Sequence, residues 1–415
     1  MCIRDSSNTD GVKELLPVSA GDKVLSFLPI CHIFERVATY SYIRNGVKIY
    51  QTGTDNLGGE DGDLRAVAPH LFSTVPRLLE KVYEKIYNKG LGLTGMKKKL
   101  FFWALSLTDD YDVQNPPSGF KYSIADKLIF SKWREALGGN IKGILTGAAA
   151  CPVKMMRVFS AAGIPIREGY GLTESSPGIA VSYWKEGGAM MGTVGPALPN
   201  VEIEIEEDDN YGPGEGEILA AGPNIMMGYY NKPEATADTL FEKDGKTWLR
   251  TGDIGKFLTD SKGRKFLKIT DRKKELLKTS GGKYVAPTPI ENKLKEDFLV
   301  EQVMVVGEKQ KFVSAIITPA QEALRDWAGN NDVDCSDMNA ACKDPKVLAA
   351  YQEAIDKINP NFSHIEQIKK FTLVPDTWEP TKADGTDAEL TPTMKLKRRV
   401  IRKKYADQIA EIYNV

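Results

Sequence analysis

Short apolar runs of strand length alternate with segments of helical period through the first two-thirds of this chain. Val24-Leu25-Ser26-Phe27-Leu28, Val47-Lys48-Ile49-Tyr50 and His70–Val75 read as strands, and Ile141–Thr146 as a buried one. Pro76 closes the third run and suits the first position of a helix. Along that helix Leu78, Leu79, Val82, Tyr83 and Ile86 recur at spacings of three and four, one buried face. Pro152–Ala162 reads as a further helix, ended by Gly163. Such a succession predicts an α/β fold with a layered, largely parallel sheet.

The pattern changes twice. From about Lys89 to Gly139 a Met-Lys-Lys-Lys run and the breaker Asn115-Pro116-Pro117-Ser118-Gly119 mark a helical insertion, bounded here as 88–140. From Val201, the apolar Val201, Ile203 and Ile205 alternate with Glu202, Glu204 and Glu206, a half-exposed strand. Turn signals at Gly212-Pro213-Gly214 and Gly222-Pro223-Asn224 separate more strands, so 195–270 reads as a small β subdomain, a barrel or twisted sheet. Beyond it, a helix at Pro289–Lys295, strands at Val303–Val306 and Phe312–Thr318, and a basic C-terminal helix predict a small α+β domain over 271–415. The expected plan is therefore a main domain over 1–270 followed by a C-terminal domain.

Length and composition set the limits. With 415 residues, 42% hydrophobic and 27% charged, the chain has the balance of a globular protein of about two or three domains. Lys plus Arg (55) nearly cancels Asp plus Glu (56), so no global field recruits nucleic acid. No apolar run is long enough to cross a bilayer, which leaves peripheral membrane contact as the form any membrane association would take. Five cysteines without paired spacing suit a reducing, cytoplasmic compartment, and three scattered histidines give no metal-ligand spacing. Met1-Cys2-Ile3-Arg4-Asp5-Ser6 reads neither as a signal peptide nor as a helix start, and the chain reads as beginning within a domain.

Chemistry concentrates in Arg167-Glu168-Gly169-Tyr170-Gly171-Leu172-Thr173-Glu174. Two glycines bracket an aromatic ring that can stack on a purine; a threonine hydroxyl and a carboxylate follow, suited to a phosphate oxygen and Mg²⁺. Alone, this segment reads equally well as a strand end with a polar turn. Four other segments accompany it. Leu145-Thr146-Gly147-Ala148-Ala149-Ala150 runs a strand into small residues that admit a flat ring. Trp248-Leu249-Arg250-Thr251-Gly252-Asp253 ends a strand with a carboxylate able to accept both hydroxyls of a ribose. Asp271-Arg272-Lys273-Lys274 is a cationic turn, followed by the Gly281-Gly282 loop. Gly222 through Thr236 lies between them.

In this order the segments resemble the adenylate-forming, AMP-binding superfamily, from about Asp22 to the C-terminus. Phe27-Leu28-Pro29-Ile30-Cys31-His32-Ile33-Phe34-Glu35-Arg36-Val37, with the insertion, is most similar to the long-chain fatty acid–CoA ligase branch. The resemblance implies ATP, coenzyme A and Mg²⁺ as cofactors and a long-chain fatty acid as substrate. It implies that Tyr170 packs on adenine beside Gly147, Ala148 and Ala149, within the Glu168–Gly171 strand end. Asp253 would hold the ribose with Arg272, Thr173 the α-phosphate, and Glu174 the magnesium. Leu390-Thr391-Pro392-Thr393-Met394-Lys395-Leu396-Lys397-Arg398-Arg399 is similar to the final motif, which makes Lys395 the catalytic cation and Lys397 its rival. Met394 departs from the commoner glycine. Lys274 would be the hinge of a mobile C-terminal lid, Gly281-Gly282 would serve coenzyme A, and His32 would border the acyl pocket.

The family's phosphate loop, Ser/Thr/Gly-rich and ending in Pro-Lys-Gly, has no match upstream of Phe27. The resemblance therefore implies an incomplete main domain and a fragment with little activity alone. Two other readings stand beside it: a non-catalytic nucleotide-binding scaffold, and a ligase for aryl or other carboxylic acids. A nucleic-acid reading rests on Lys395–Lys404 alone, where Val400, Ile401, Tyr405, Ile409 and Ile412 instead form the apolar stripe of a solvated helix. Cys31 and His32, read as neighbours on a strand, would point to opposite faces and could not form a nucleophile–base pair.

Overall fold

The structure, a computed structural model, describes all residues except 1, 55, 60, 209, 383–386, 392–394 and 415, and residue 2 by its backbone alone. The chain divides into two compact units: Met1–Glu207 with Gly214–Ile269, and Asp208–Pro213 with Thr270–Val415.

In the first unit, strands β1 (Lys23–Ser26), β2 (Lys48–Gln51), β3 (Leu71–Thr74), β4 (Gly143–Thr146), β5 (Ile166–Gly171) and β6 (Gly178–Val181) form one sheet in the order β2-β1-β3-β4-β5-β6. All neighbours run parallel except β5 and β6. Its strands are apolar at consecutive positions because both faces are covered. Val24 and Leu71 pack with Ala38 and Tyr42 of the helix Ile33–Arg44. Leu25, Phe72, Ile144 and Ile166 face the opposite way, onto Met155, Met156 and Phe159 of the helix Val153–Ala161. Each large side chain so buried contributes about 1.5–3 kcal/mol. The helices Pro76–Leu91 and Gly95–Ser106 and the short helices of 120–136 fill the insertion and add Leu79, Phe101, Phe130 and Trp133 to this core.

Five further strands, β7 (Glu202–Glu207), β8 (Gly216–Ala221), β9 (Leu240–Lys243), β10 (Lys246–Thr259) and β11 (Lys265–Arg272), make an antiparallel sheet in the order β11-β10-β8-β7, with β9 on β10. The second unit holds a two-residue ladder, β12 (Leu277–Lys278) with β13 (Tyr284–Val285), and a mixed sheet of β14 (Val300–Val306), β15 (Ser314–Pro319) and β16 (Lys370–Leu373). Helices Pro287–Leu294 and Pro345–Ile358 supply Ile290, Leu294, Val347, Tyr351 and Ile355 to its core. The expected α/β layering, with a β-rich portion and an α+β C-terminal portion, is what the chain forms.

Residues 2–13 depart from expectation. Sequence gives no helix start there, yet Cys2–Lys13 is helical. Long-range polar bonds hold it: the Asn8 side chain donates to Gly178 O (2.9 Å) and accepts from Gly178 N (3.1 Å), and Arg4 Nε donates to Ile225 O (2.7 Å). Asp5, Asn8 and Thr9 are buried, so the helix hides polar rather than apolar residues and shows no amphipathic stripe.

Candidate active site

Because β1, β3, β4 and β5 are parallel, the residues following each of them emerge at one carboxyl edge, where open α/β sheets bind ligands. Phe27–Val37, Gly147–Ala149 and Gly171–Glu174 all leave the sheet there. The chain turns sharply after β5: Leu172 N donates to Ser175 Oγ (2.9 Å) and to Pro177 O (3.0 Å), and Thr173–Ser175 is one 3-10 turn. Gly171 is required by space, since a Cβ there would stand 1.8 Å from Pro177 O. Gly169 is not, its nearest neighbour being the Val181 side chain at 3.6 Å. Gly171→Ala is expected to lower stability by about 1–3 kcal/mol or more, with Gly169→Ala near neutral, as read by paired urea titrations.

Thr173 is exposed, and Glu174 half-buried. Tyr229 Oη donates to Glu174 Oε1 (2.7 Å), and Met226 N donates to the Glu174 carbonyl (2.8 Å). The sequence alone gives Gly222–Thr236 no role, and the Gly228-Tyr229-Tyr230 run is the signal within it that points to one.

Tyr170 Oη donates to Asp253 Oδ2 at 2.7 Å, a bond between buried groups 83 residues apart. A register shift in β10 between Arg250 and Ile254 presents Asp253. Gly252 supplies the left-handed backbone (φ +72°), Gly252 N donates to Glu217 Oε1 (3.0 Å), and Thr251 Oγ1 donates to Ile218 O (2.7 Å).

At the end of β4, a Cβ on Gly147 would lie 3.2 Å from Gly169 O and 3.4 Å from the Phe34 ring, so the small residue admits close packing. The Thr146 hydroxyl is buried without a hydrogen-bond partner among the described residues. Glu168 lies beneath the loop that follows, its Oε1 accepting from Cys151 N (2.9 Å), and burial pushes its carboxyl up to about 8. Phe34 owes its place to Glu35, which is fully buried and accepts from Ser26 Oγ (2.6 Å) and from Ser73 Oγ. These bonds tie the helix Ile33–Arg44 to the ends of β1 and β3; burial raises the Glu35 carboxyl. Cys31 and His32 are not on a strand, contrary to the sequence reading. β1 ends at Ser26, before Pro29; Cys31 is in the turn beyond, and His32 is the residue preceding the helix. Both are exposed.

The second unit carries the remaining candidates. Arg272 ends β11, and Arg272, Lys273 and Lys274 are exposed on a turn closed by Glu275 N to Arg272 O (2.9 Å). Gly281 and Gly282 form the tip between β12 and β13, with Gly282 at φ +80°. Lys395 is half-buried in a hairpin in which Thr391 N donates to Lys395 O (2.8 Å) and Lys395 N to Thr391 Oγ1 (3.0 Å). Pro392, Thr393 and Met394 of that motif lie outside the described residues. Arg398 joins the hairpin to the turn, donating to both Glu291 oxygens (2.7 and 2.8 Å) and to Glu275 Oε2 (3.2 Å). Beside it, burial pushes Asp271 up to about 6 despite donors from Arg272 N, Thr288 N and Thr288 Oγ1. Among the described residues no three His, Cys, Asp or Glu converge on a metal site, and no helix is long and apolar enough to cross a membrane.

Comparison with known proteins decides the family. The AMP-binding enzyme model matches residues 4–230, and the AMP-binding enzyme C-terminal domain matches 274–415. The chain belongs to the AMP-binding enzyme family. Among its relatives are the long-chain-fatty-acid–CoA ligase FadD15 of Mycobacterium bovis, 33% identical over 95% of this chain and 62% of that protein. The human long-chain-fatty-acid–CoA ligase 1 is 35% identical over 95% of this chain and 55% of its own length. Long chain acyl-CoA synthetase 4 of Arabidopsis thaliana is 36% identical over 94% and 58%. This AMP-binding enzyme thus spans somewhat over half the length of curated relatives it matches. Its fold is similar to that of the adenylation domain of a Mycobacterium chelonae carboxylate reductase (TM-score 0.71, 21% identity, 99% of this chain and 57% of that one). It is also similar to the adenylation–carrier didomain of a Segniliparus rugosus carboxylic acid reductase in complex with AMP (TM-score 0.66, 20% identity, 99% and 51%).

Proposed function

We propose that this chain serves the ATP-dependent activation of a long-chain fatty acid to its coenzyme A thioester. The carboxylate attacks the α-phosphorus of ATP and pyrophosphate leaves; the coenzyme A thiol then attacks the acyl carbonyl and AMP leaves. The observation that carries the reading is the Tyr170–Asp253 hydrogen bond. It brings the candidate adenine platform and the candidate ribose acceptor together from motifs far apart in sequence.

In this reading Tyr170 lies on adenine beside Gly147–Ala149, Asp253 accepts the ribose hydroxyls, and Thr173 donates to the α-phosphate. Gly147 is packed between Gly169 and the Phe34 ring, while Ala148 and Ala149 beyond it reach the surface with only small side chains to meet a flat base. Mg²⁺ commonly binds one or two protein carboxylates plus substrate phosphates, which the single, Tyr229-oriented Glu174 fits. Arg272 is assigned to the ribose, Lys395 to the reacting phosphate, Lys274 to a hinge and Gly281-Gly282 to coenzyme A. His32, exposed before its helix, is assigned to the border of the acyl pocket. The long-chain relatives support a fatty acid as substrate. A long acyl chain partitions into lipid, and peripheral membrane contact belongs to the same reading.

The test begins with AMP titrated calorimetrically into the chain. Asp253→Asn keeps an acceptor for Tyr170 but removes one for the ribose, and is expected to weaken AMP about 10–100-fold. Equal affinity of the two proteins would refute the assignment. Pyrophosphate release across fatty acids of rising length then identifies the substrate.

A further inference from the structure

The insertion carries charge that the proposed chemistry does not use. Between Lys85 and Lys99 the sequence holds Lys85, Lys89, Lys97, Lys98 and Lys99 and no Asp or Glu, within a chain of formal net charge −1. The fold gathers this segment at one place. Helix Pro76–Leu91 and helix Gly95–Ser106 form a hairpin whose arms cross where Gly90 meets the Phe101 ring, so closely that a Cβ on Gly90 would stand 2.1 Å from it. Everything from Leu91 to Lys99 therefore forms the tip. Lys98 Nζ donates to Leu91 O (2.9 Å) and caps the first helix, while Lys85, Lys89, Lys97 and Lys99 are exposed. Two apolar side chains are exposed among them, Met96 at 80% and Leu91 at 39%.

We propose that this hairpin tip is a docking surface for an anionic lipid membrane, with Lys97 and Lys99 on the headgroups and Met96 and Leu91 entering the interface. Basic residues beside an exposed apolar tip match a surface that is both negatively charged and apolar beneath. A nucleic acid would use the charge but give Met96 and Leu91 nothing apolar to enter. The surface rests on the ligase reading in one respect: a membrane is where a long-chain fatty acid would be taken up.

Binding is read by co-sedimentation of the full chain with phosphatidylcholine vesicles, with and without phosphatidylserine. The chain is expected to sediment only with the anionic vesicles and to be released by salt. Each exposed lysine is worth about fivefold, so Lys97→Gln with Lys99→Gln is expected to weaken binding roughly 25-fold. Met96→Ser is expected to weaken it about tenfold. Unchanged circular dichroism and unchanged AMP affinity in these variants separate loss of docking from misfolding and from failure of the ligase reading. Equal sedimentation with neutral vesicles, variants that bind as the parent does, or a DNA duplex that displaces the chain from vesicles and binds it more tightly would each overturn the proposal.

Discussion

Lys395→Ala is expected to slow adenylate formation by about 10²–10³-fold or more while leaving thioester formation from supplied acyl-adenylate intact. The first half-reaction concentrates negative charge on the reacting phosphate and carboxylate, and a cation at that point stabilises the transition state more than the ground state. The second half-reaction expels AMP from a carbonyl and has no such demand. Alanine at 395 retains backbone groups that hold the hairpin: Thr391 N on Lys395 O, Lys395 N on Thr391 Oγ1, and Lys397 N on Glu389 O (2.8 Å). Glu389 is itself buried and paired with Lys382 (2.7 Å) and Lys404 (2.9 Å), which fixes the base of the hairpin. Pyrophosphate release and single-turnover thioester formation, measured separately, check the split. Equal loss in both would remove Lys395 from the role, and the same split in Lys397→Ala would transfer it.

The second large effect concerns pH. Glu168 has an ordinary carboxyl value of 4.5 and a folded value pushed up to about 8 by burial. A raised folded value means that the native state holds its proton after the unfolded chain has released it. Stability is therefore complete below about 4.5, falls as pH rises towards about 8, and is level above that. The total is roughly a few kcal/mol. Glutamine imitates the protonated acid, offering an oxygen to Cys151 N, so Glu168→Gln is expected to lose this slope and to exceed the parent in stability above pH 8. Urea midpoints of the two proteins measured across that range check it. Parallel curves would mean that Glu168 is ionised when folded and that water or a counter-charge reaches it. The consequence extends beyond stability, because the loop that Cys151 ends begins at Gly147, the candidate adenine face.

Much of the fold could be read from periodicity. Val24-Leu25 and Leu71-Phe72 are apolar pairs because each strand is buried on both faces, and this signal needs only local sequence. The helix Pro76–Leu91 announced itself by a proline at its start and an apolar stripe, and it begins at Pro76 as expected. The candidate site was legible for a different reason: its residue types are unusual together, and their order along the chain matches a family. Chemistry restricts those positions even where packing does not.

The rest depended on contacts between distant segments. The helix Cys2–Lys13 is held by an amide pairing to Gly178 that no local pattern encodes. Glu35 is fully buried because Ser26 and Ser73, on two different strands, satisfy its oxygens, a pairing that its place in the Phe27–Val37 motif does not show. Tyr229 could be assigned to Glu174 only once the intervening chain had been folded. The layered architecture and the identity of the motif residues were determined by the sequence itself, through side-chain period and chemistry. Which of those residues share a hydrogen bond, which carboxylates are buried, and which lysines stand on an exposed tip were decided by tertiary structure, since hydrogen-bond geometry and desolvation depend on neighbours that the order of residues does not name.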